Sequence, residues 1–219
     1  MIFTSVSRLG DFLLLWPVAS WYYKNTKDKI HWVLSENFKL YYTIEPLLRL
    51  QPFTQDVSFV NVGTDAYKDY IFNPSDFNIK GEYKNFGFGV YPSIYKYMSE
   101  FYAEMHGYGW DKDFIINLGE FDRVNNEQDY TVYSEASSYR SDYGIINKYI
   151  PTNCIKIDQS RSLIENIAFA KNAKEVYSPY NGFAIIMDMI NKQCKIYGPI
   201  TDYEVKNRVF KNQHEYYLI

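Results

Sequence analysis

Cysteine is scarce. Cys154 and Cys194 are the only two among 219 residues, and both fall in segments that read as buried strands. Two reduced thiols in a reducing compartment are therefore expected, not a disulfide framework. Histidine is nearly as sparse: His31, His106 and His214 are scattered, with no Cys or His at metal-ligand spacing. That leaves no basis for a zinc site. The longest uninterrupted apolar run, Phe12 to Ala19, is far short of the roughly 20 residues a bilayer span needs. It also lacks the basic leader and small-residue cleavage site of a signal peptide, so the expectation is a cytoplasmic protein without membrane insertion. Excess charge is missing too. A net charge of −3 gives no global basic field, which argues against tight non-specific nucleic-acid binding but not against a local basic groove. A Walker loop, a Gly-x-Gly-x-x-Gly turn and a Gly-x-Ser-x-Gly elbow are all absent, and the P-loop, dehydrogenase and serine-hydrolase readings lose their support with them.

What is present is the composition of a folded protein. At 47% hydrophobic and 22% charged the chain can bury a substantial core, as one large domain or two small ones. Aromatic residues reach 19%, mostly Tyr, beside many Asn, Ile and Lys. That bias points to an AT-rich genome such as a phage's, a statement about origin and not about chemistry.

Strand and helix patterns alternate along the chain. Ile2 to Val6 reads as a strand, followed by a polar turn from Ser7 to Asp11 and an apolar helix containing Pro17. Lys29 to Leu34 and Val57 to Val62 read as further strands, with a short helix after Pro46 between them. From Gly63 to Gly89 the pattern dissolves into a long connection in which only Tyr70-Ile71-Phe72 suggests a strand. Ile94, Met98, Phe101, Tyr102 and Met105 recur on one helical face after Ser93 and before Gly107, a core stripe. Phe114 to Leu118 reads as a strand, and the polar stretch Gly119 to Gln128 as a linker between halves. The second half repeats the alternation: strands at 129–134, 154–157, 175–178 and 194–197, helices at 141–149, from the capping box Ser162-x-x-Glu165 to about Ala173, and from Gly182 to Ile190. This pace implies right-handed βαβ crossovers, hence an α/β chain of two parallel-sheet domains, 1–122 and 123–219.

Three turns could carry chemistry. In the first, Ser7-Arg8-Leu9-Gly10-Asp11 leads into a helix, where backbone N–H groups and the helix dipole favour negative charge. Asp11 there is either a helix cap or a side chain presented to a crevice. In the second, Ser178-Pro179-Tyr180-Asn181-Gly182 joins a strand to a nearly all-apolar helix. Its small and turn-forming residues let the backbone approach a phosphate, although Asn-Gly is also ordinary turn chemistry. The third, Ser134 to Arg140, follows the first strand of the second half, where strand carboxyl ends converge on a crevice; a solvated loop is its plainer reading. Asp158 ends the next strand. Asp111-Lys112-Asp113 matches the Asp-x-Asp metal motif by letter but precedes an apolar run instead of following one, and it reads as a solvated turn.

The first and second turns carry a resemblance. S-R-L-G-D-F-L-L-L-W-P-V is similar to the N-terminal signature of the heptosyltransferase-like glycosyltransferases (the ADP-heptose:LPS type). E-V-Y-S-P-Y-N-G-F-A-I-I-M-D-M-I-N-K-Q-C-K-I-Y-G-P resembles the nucleotide-sugar-binding element of the same family. The matches cover about a third of the chain, in the family's order. The turn reads Tyr-Asn-Gly in place of Asp-Ser/Thr-Gly, the His one turn into the helix is missing, and the chain is short for the family. The resemblance implies the GT-B fold, two Rossmann-like domains facing across a cleft, in a shortened form. It implies a nucleotide-diphosphate sugar as donor (co-substrate, with no metal cofactor) and transfer to an acceptor hydroxyl. Asp11 becomes the catalytic base. Ser178, Tyr180, Asn181 and Gly182 become donor-binding residues, with Ser134, Arg140 and Asp158 in support, and Arg8 and Gly10 contact the acceptor or departing phosphate. The acceptor is a glycan, a lipid-linked sugar or, for a viral enzyme, a hydroxymethylated DNA base. The alternative is a non-catalytic nucleotide- or sugar-binding module descended from such an enzyme.

Overall fold

Ile2–Ser5 forms the first strand, β1, in a computed structural model that describes residues 1–5, 9–37, 39–63, 72–86, 97–123, 128–135, 150–158, 160–198 and 210–218. The chain divides into two units, Met1–Phe114 and Ile115–Ile219. In the first unit β1 is followed by α1 (Leu9–Leu13), α2 (Trp16–Thr26), β2 (Ile30–Ser35), α3 (Lys39–Arg49), β3 (Thr54–Val60), β4 (Tyr83–Asn85) and α4 (Met98–Met105). Its four strands lie in the order β3-β2-β1-β4, every pairing parallel. The second unit contains β5 (Gln128–Tyr133), β6 (Ile155–Lys156), α5 (Leu163–Asn172), β7 (Ala173–Pro179), α6 (Gly182–Met189), β8 (Lys195–Gly198) and β9 (Glu215–Leu218). These strands are also all parallel, in the order β6-β5-β7-β8-β9. The α/β class with two parallel sheets is therefore as the sequence implies.

Strand alternation sorts the first core. Phe3 and Trp32 pair in register and share a face, because successive side chains of a strand point to opposite sides. Their rings meet edge-on at 5.5 Å, and Trp32 is enclosed further by Phe12 at 5.3 Å and Phe53 at 6.2 Å. Ile2 and Val33 build a smaller cluster with Val60 and Phe72. Among the described residues, much of the aromatic surplus in the composition is spent here.

Several local readings change. Leu9, Gly10 and Asp11 belong to α1 and not to a turn before it, so Asp11 sits in the first helical turn and is not the cap. The apolar segment then breaks: Leu15 accepts from both Val18 and Ala19, and α2 restarts with Pro17 at its second position. Proline costs nothing there, because an N–H at that position has no partner within the helix. Pro46, by contrast, lies inside α3. An internal proline costs about 3 kcal/mol, and the complete burial of Tyr41, Ile44, Leu47 and Leu48 on the same helix offsets it. Phe114 to Leu118 alternates in burial like a strand but forms none. The Ile116 N–H goes instead to the carbonyl of Met189, the last residue of α6. Gly119–Arg123, inside the expected linker, coils into a 3-10 helix, and Gln128 opens β5. Strands β4 and β9 were not expected. The capping box stands as read: Ser162 Oγ accepts from Glu165 N–H and Glu165 Oε2 accepts from Ser162 N–H. The expected helix at 141–149, the strand signal at Tyr70-Ile71 and the helix start at Ser93 lie outside the described residues.

The Asp-Lys-Asp stretch is a turn, but Asp111 is not merely solvated. Its carboxylate, 9% exposed, accepts from Ser20 Oγ and pairs with Lys24 Nζ, both at 2.6 Å. Burial pushes the carboxyl upward, and the Lys24 and Ser20 hydrogen bonds outweigh it, leaving it below its ordinary value. A depressed carboxylate stabilises the fold above its unfolded pKa, about 4, and that contribution fades as pH falls through the lower folded value. Asp111→Asn should therefore cost on the order of 1 kcal/mol at pH 7, discounted for the exposure of Lys24, and almost nothing near pH 2. Urea titrations of both proteins across that range measure the convergence. A constant gap would show the charge to be irrelevant.

Both cysteines are free, Cys194 buried and Cys154 half-buried. Neither lies in a strand. Burial raises both thiols above their ordinary value, which disfavours the thiolate form.

Candidate functional site

Strand order decides where a ligand can sit. In the second sheet the chain leaves β5 for β6 on one side and then returns to β7 on the other. This reversal of strand order falls between β5 and β7, and open α/β sheets bind ligands outside the carboxyl ends of the strands at such a point. Ser134 and the Ser178–Gly182 turn emerge there side by side.

Ser134 is fixed from both directions. Its N–H donates to the Tyr177 carbonyl at 2.9 Å, and its own carbonyl accepts from the buried Tyr197 hydroxyl. Tyr197 was read from the sequence as the end of a strand and part of the K-I-Y-G-P run, not as a site residue. Beside it, Ser178 is fully buried. Its hydroxyl donates to Asn181 Oδ1 at 3.2 Å and to the Pro179 carbonyl at 3.0 Å. Ser178 therefore holds the turn from beneath, and its hydroxyl reaches a ligand only through Asn181.

Asn181 caps α6. Its backbone is extended, and its Oδ1 accepts the Ala184 N–H at 3.0 Å. The cap thus consumes the third amide of the helix. Among the described residues, the Gly182 and Phe183 N–H groups have no acceptor, and they stand at the positive end of the helix dipole. Ala184 to Met189 are all buried, so the helix start is rigid. The two N–H donors, Ser134 and a half-buried Tyr180 lie at this end of the sheet, an arrangement with the chemistry to accept an anion. Tyr180 packs edge-on against Phe210, ring centroids 5.8 Å apart.

Asp158 lies on the β6 side of this arrangement, but its carboxylate is engaged locally. It accepts from Ser160 N–H and Oγ at 2.8 and 2.7 Å, which lowers its pKa, and it starts the turn into α5.

The first sheet has its own switch point. β1 lies between β2 and β4, and α1, with Gly10 and Asp11, follows its carboxyl end. Both residues are half-buried. At the same end, Thr4 Oγ1 donates to Asn85 Oδ1, Ser5 bonds Tyr41 at 3.4 Å, and His106 Nε2 donates to the Asn85 carbonyl at 2.8 Å. Burial holds the His106 pKa below its ordinary value against the opposing pull of that carbonyl. Asp11 and Gly10 thus belong to the first unit, and Ser134, Asp158 and Ser178–Gly182 to the second. Arg8 and Arg140 lie outside the described residues.

A cavity of about 250 Å³ opens elsewhere, at the amino edge of β7, β8 and β9, lined by Lys174, Glu175, Lys192, Lys195 and Glu215 among others. Lys195 pairs there with Glu175 at 2.6 Å and Lys174 with Asp129 at 3.0 Å, and parallel sheets do not place ligands at that edge. Among the described residues no cluster of His, Cys, Asp and Glu could hold a metal ion, and no helix is long and apolar enough to cross a membrane.

No protein-family model matches the sequence, and neither does any curated protein. Among solved structures the chain is similar to E. coli heptosyltransferase WaaC with ADP, at a TM-score of 0.63 and 13% identity over 98% of this chain and 92% of that one. The coverage offers no support for a shortened form. At this identity the likeness is one of fold alone, an α/β chain with two parallel sheets.

Proposed function

We propose that the chain is a nucleotide-sugar-dependent glycosyltransferase of GT-B type. The observation that carries this reading is the Ser178–Gly182 turn at the β5/β7 switch point: a rigid helix start with two amides that have no acceptor among the described residues, in a fold shared with an enzyme solved with ADP. In the proposed reaction the donor diphosphate lies on the Gly182 and Phe183 N–H groups, with Tyr180 beside it and Arg140 assisting. Asp11 takes the proton of an acceptor hydroxyl as its oxygen attacks the anomeric carbon. The bond from that carbon to the diphosphate breaks, and the departing oxygen takes the electron pair. Helix dipole and amides stabilise the charge that develops there. The mechanism requires Asp11 of the first unit to reach the sugar held by the second. A glycan, a lipid-linked sugar and a modified base in phage DNA are the acceptors to be distinguished.

Thermal-shift and calorimetric titration with ADP-, UDP-, GDP- and dTDP-sugars tests the donor. A ligand at a hundred times its Kd stabilises the folded chain by about 2.7 kcal/mol, so the correct nucleotide stands out. Gly182→Val, which places a branched side chain over the amides, should weaken nucleotide binding by roughly tenfold or more, the loss of about one charge-assisted hydrogen bond. Failure of every nucleotide to shift the transition would overturn the transferase reading. Binding without transfer or hydrolysis would favour a non-catalytic module.

A further inference from the structure

Asp188 and His214 are both fully buried in side chain, and nothing in the proposed reaction uses them. The Asp188 carboxylate, near the end of α6, accepts three hydrogen bonds: Lys211 N–H on Oδ2 at 2.9 Å, Asn212 N–H on Oδ1 at 2.9 Å, and His214 Nε2–H on Oδ1 at 3.0 Å. The tautomer follows from the other ring nitrogen, because His214 Nδ1 accepts the Cys194 N–H at 3.0 Å. Asn212 Nδ2 adds a bond to the Asp188 carbonyl at 2.7 Å. A buried carboxylate this fully satisfied is a strong tie. Here it binds α6, the approach to β8 and the segment leading into β9.

The tie reaches the candidate donor turn through one ring. Phe210 begins the anchored segment, is buried, stacks edge-on with His214 at 5.0 Å, and packs edge-on against Tyr180 at 5.8 Å. We infer that Asp188 is a positioning residue for the donor turn: through the 210–214 segment it seats Phe210 against Tyr180 and so fixes the backbone that presents the Gly182 and Phe183 amides. The inference rests on the donor reading above for its function and on the Asp188, His214 and Phe210 contacts for its mechanics. Residue 188 is a remote lever on nucleotide affinity without touching the ligand.

The test uses the full chain and two variants, Asp188→Asn and Phe210→Leu. Amide hydrogen exchange is read at 182–184 and, as a reference, in β5 and β7, and the ADP Kd is read by calorimetry well below the melting temperature. Phe210→Leu leaves the Asp188 tie intact and severs the link to Tyr180, and it carries the test if Asp188→Asn does not fold. Exchange at 182–184 should accelerate by roughly tenfold relative to the strands, with the ADP Kd rising by a similar factor, as for the loss of one aromatic pair. A purely structural role would speed exchange throughout the unit alike and leave the Kd of the folded protein unchanged; that outcome, or wild-type exchange at 182–184 in Phe210→Leu, overturns the inference. If the unmodified chain fails to bind ADP, the donor reading falls, and the exchange data alone decide whether Asp188 positions the turn.

Discussion

Asp11→Asn should lower sugar transfer on the order of a hundredfold or more while leaving the nucleotide Kd unchanged. Asparagine keeps the size of the side chain and its place in the first turn of α1. It removes the negative charge and with it the capacity to take a proton. In free-energy terms the change is about 2.7 kcal/mol in the barrier to reaction. Single-turnover kinetics with pre-bound donor isolate the chemical step and make the comparison direct. Turnover equal to that of the unmodified chain would remove Asp11 from the mechanism, whereas a parallel loss of nucleotide binding would mean that the substitution disturbed more than a base.

Trp32→Ala should destabilise the first unit by about 3–5 kcal/mol, the range for emptying a large aromatic site in a packed core. Trp32 is wholly buried among Phe3, Phe12 and Phe53, on a central strand with neighbours on both sides. Collapse onto the void would have to displace three rings held by a strand, a helix and the turn before β3. Trp32→Phe supplies the contrast. The indole Nε1 is buried without a hydrogen-bond partner among the described residues, so phenylalanine deletes volume but also removes an unsatisfied donor. Its cost should be well under half that of alanine. Urea unfolding followed by circular dichroism measures both. Equal losses would show that the ring volume does not govern stability here.

The difference between what was legible and what was not follows the range of the interactions. The Ser162/Glu165 box and the apolar helix after Asn181 were readable because their signals lie within four residues of each other. The Ser178–Gly182 turn was readable for the same reason, as a strand, a cap and a helix in direct succession. β4 was not, since Tyr83-Lys84-Asn85 carries no apolar alternation and is a strand only by virtue of the backbone ladder with β1, some eighty residues earlier. Phe114 to Leu118 misled in the opposite sense: its period of two reports which side chains are buried, while its amide found a helix carbonyl and not a ladder. Pro46 was read as a boundary because local chemistry disfavours it inside a helix, and packing of four neighbouring side chains overrides that preference. In the candidate site, Ser178 and Asn181 are coupled locally, but the Tyr197 hydroxyl on Ser134 and the His214 ring on Asp188 join residues 63 and 26 positions apart. No spacing rule in a single sequence reveals those.

The central position of β1 has a consequence for how the first unit comes into being. Its two flanks are filled at very different times as the polypeptide emerges: β2 follows within about thirty residues, β4 only after Tyr83. Until then a hydrophobic strand presents one open row of peptide groups, a template for foreign chains as much as for its own. Distant partners also mean slow closure. Synthesis at reduced temperature, or with holdase capacity to spare, protects that flank during the interval in which the nascent half is most prone to associate.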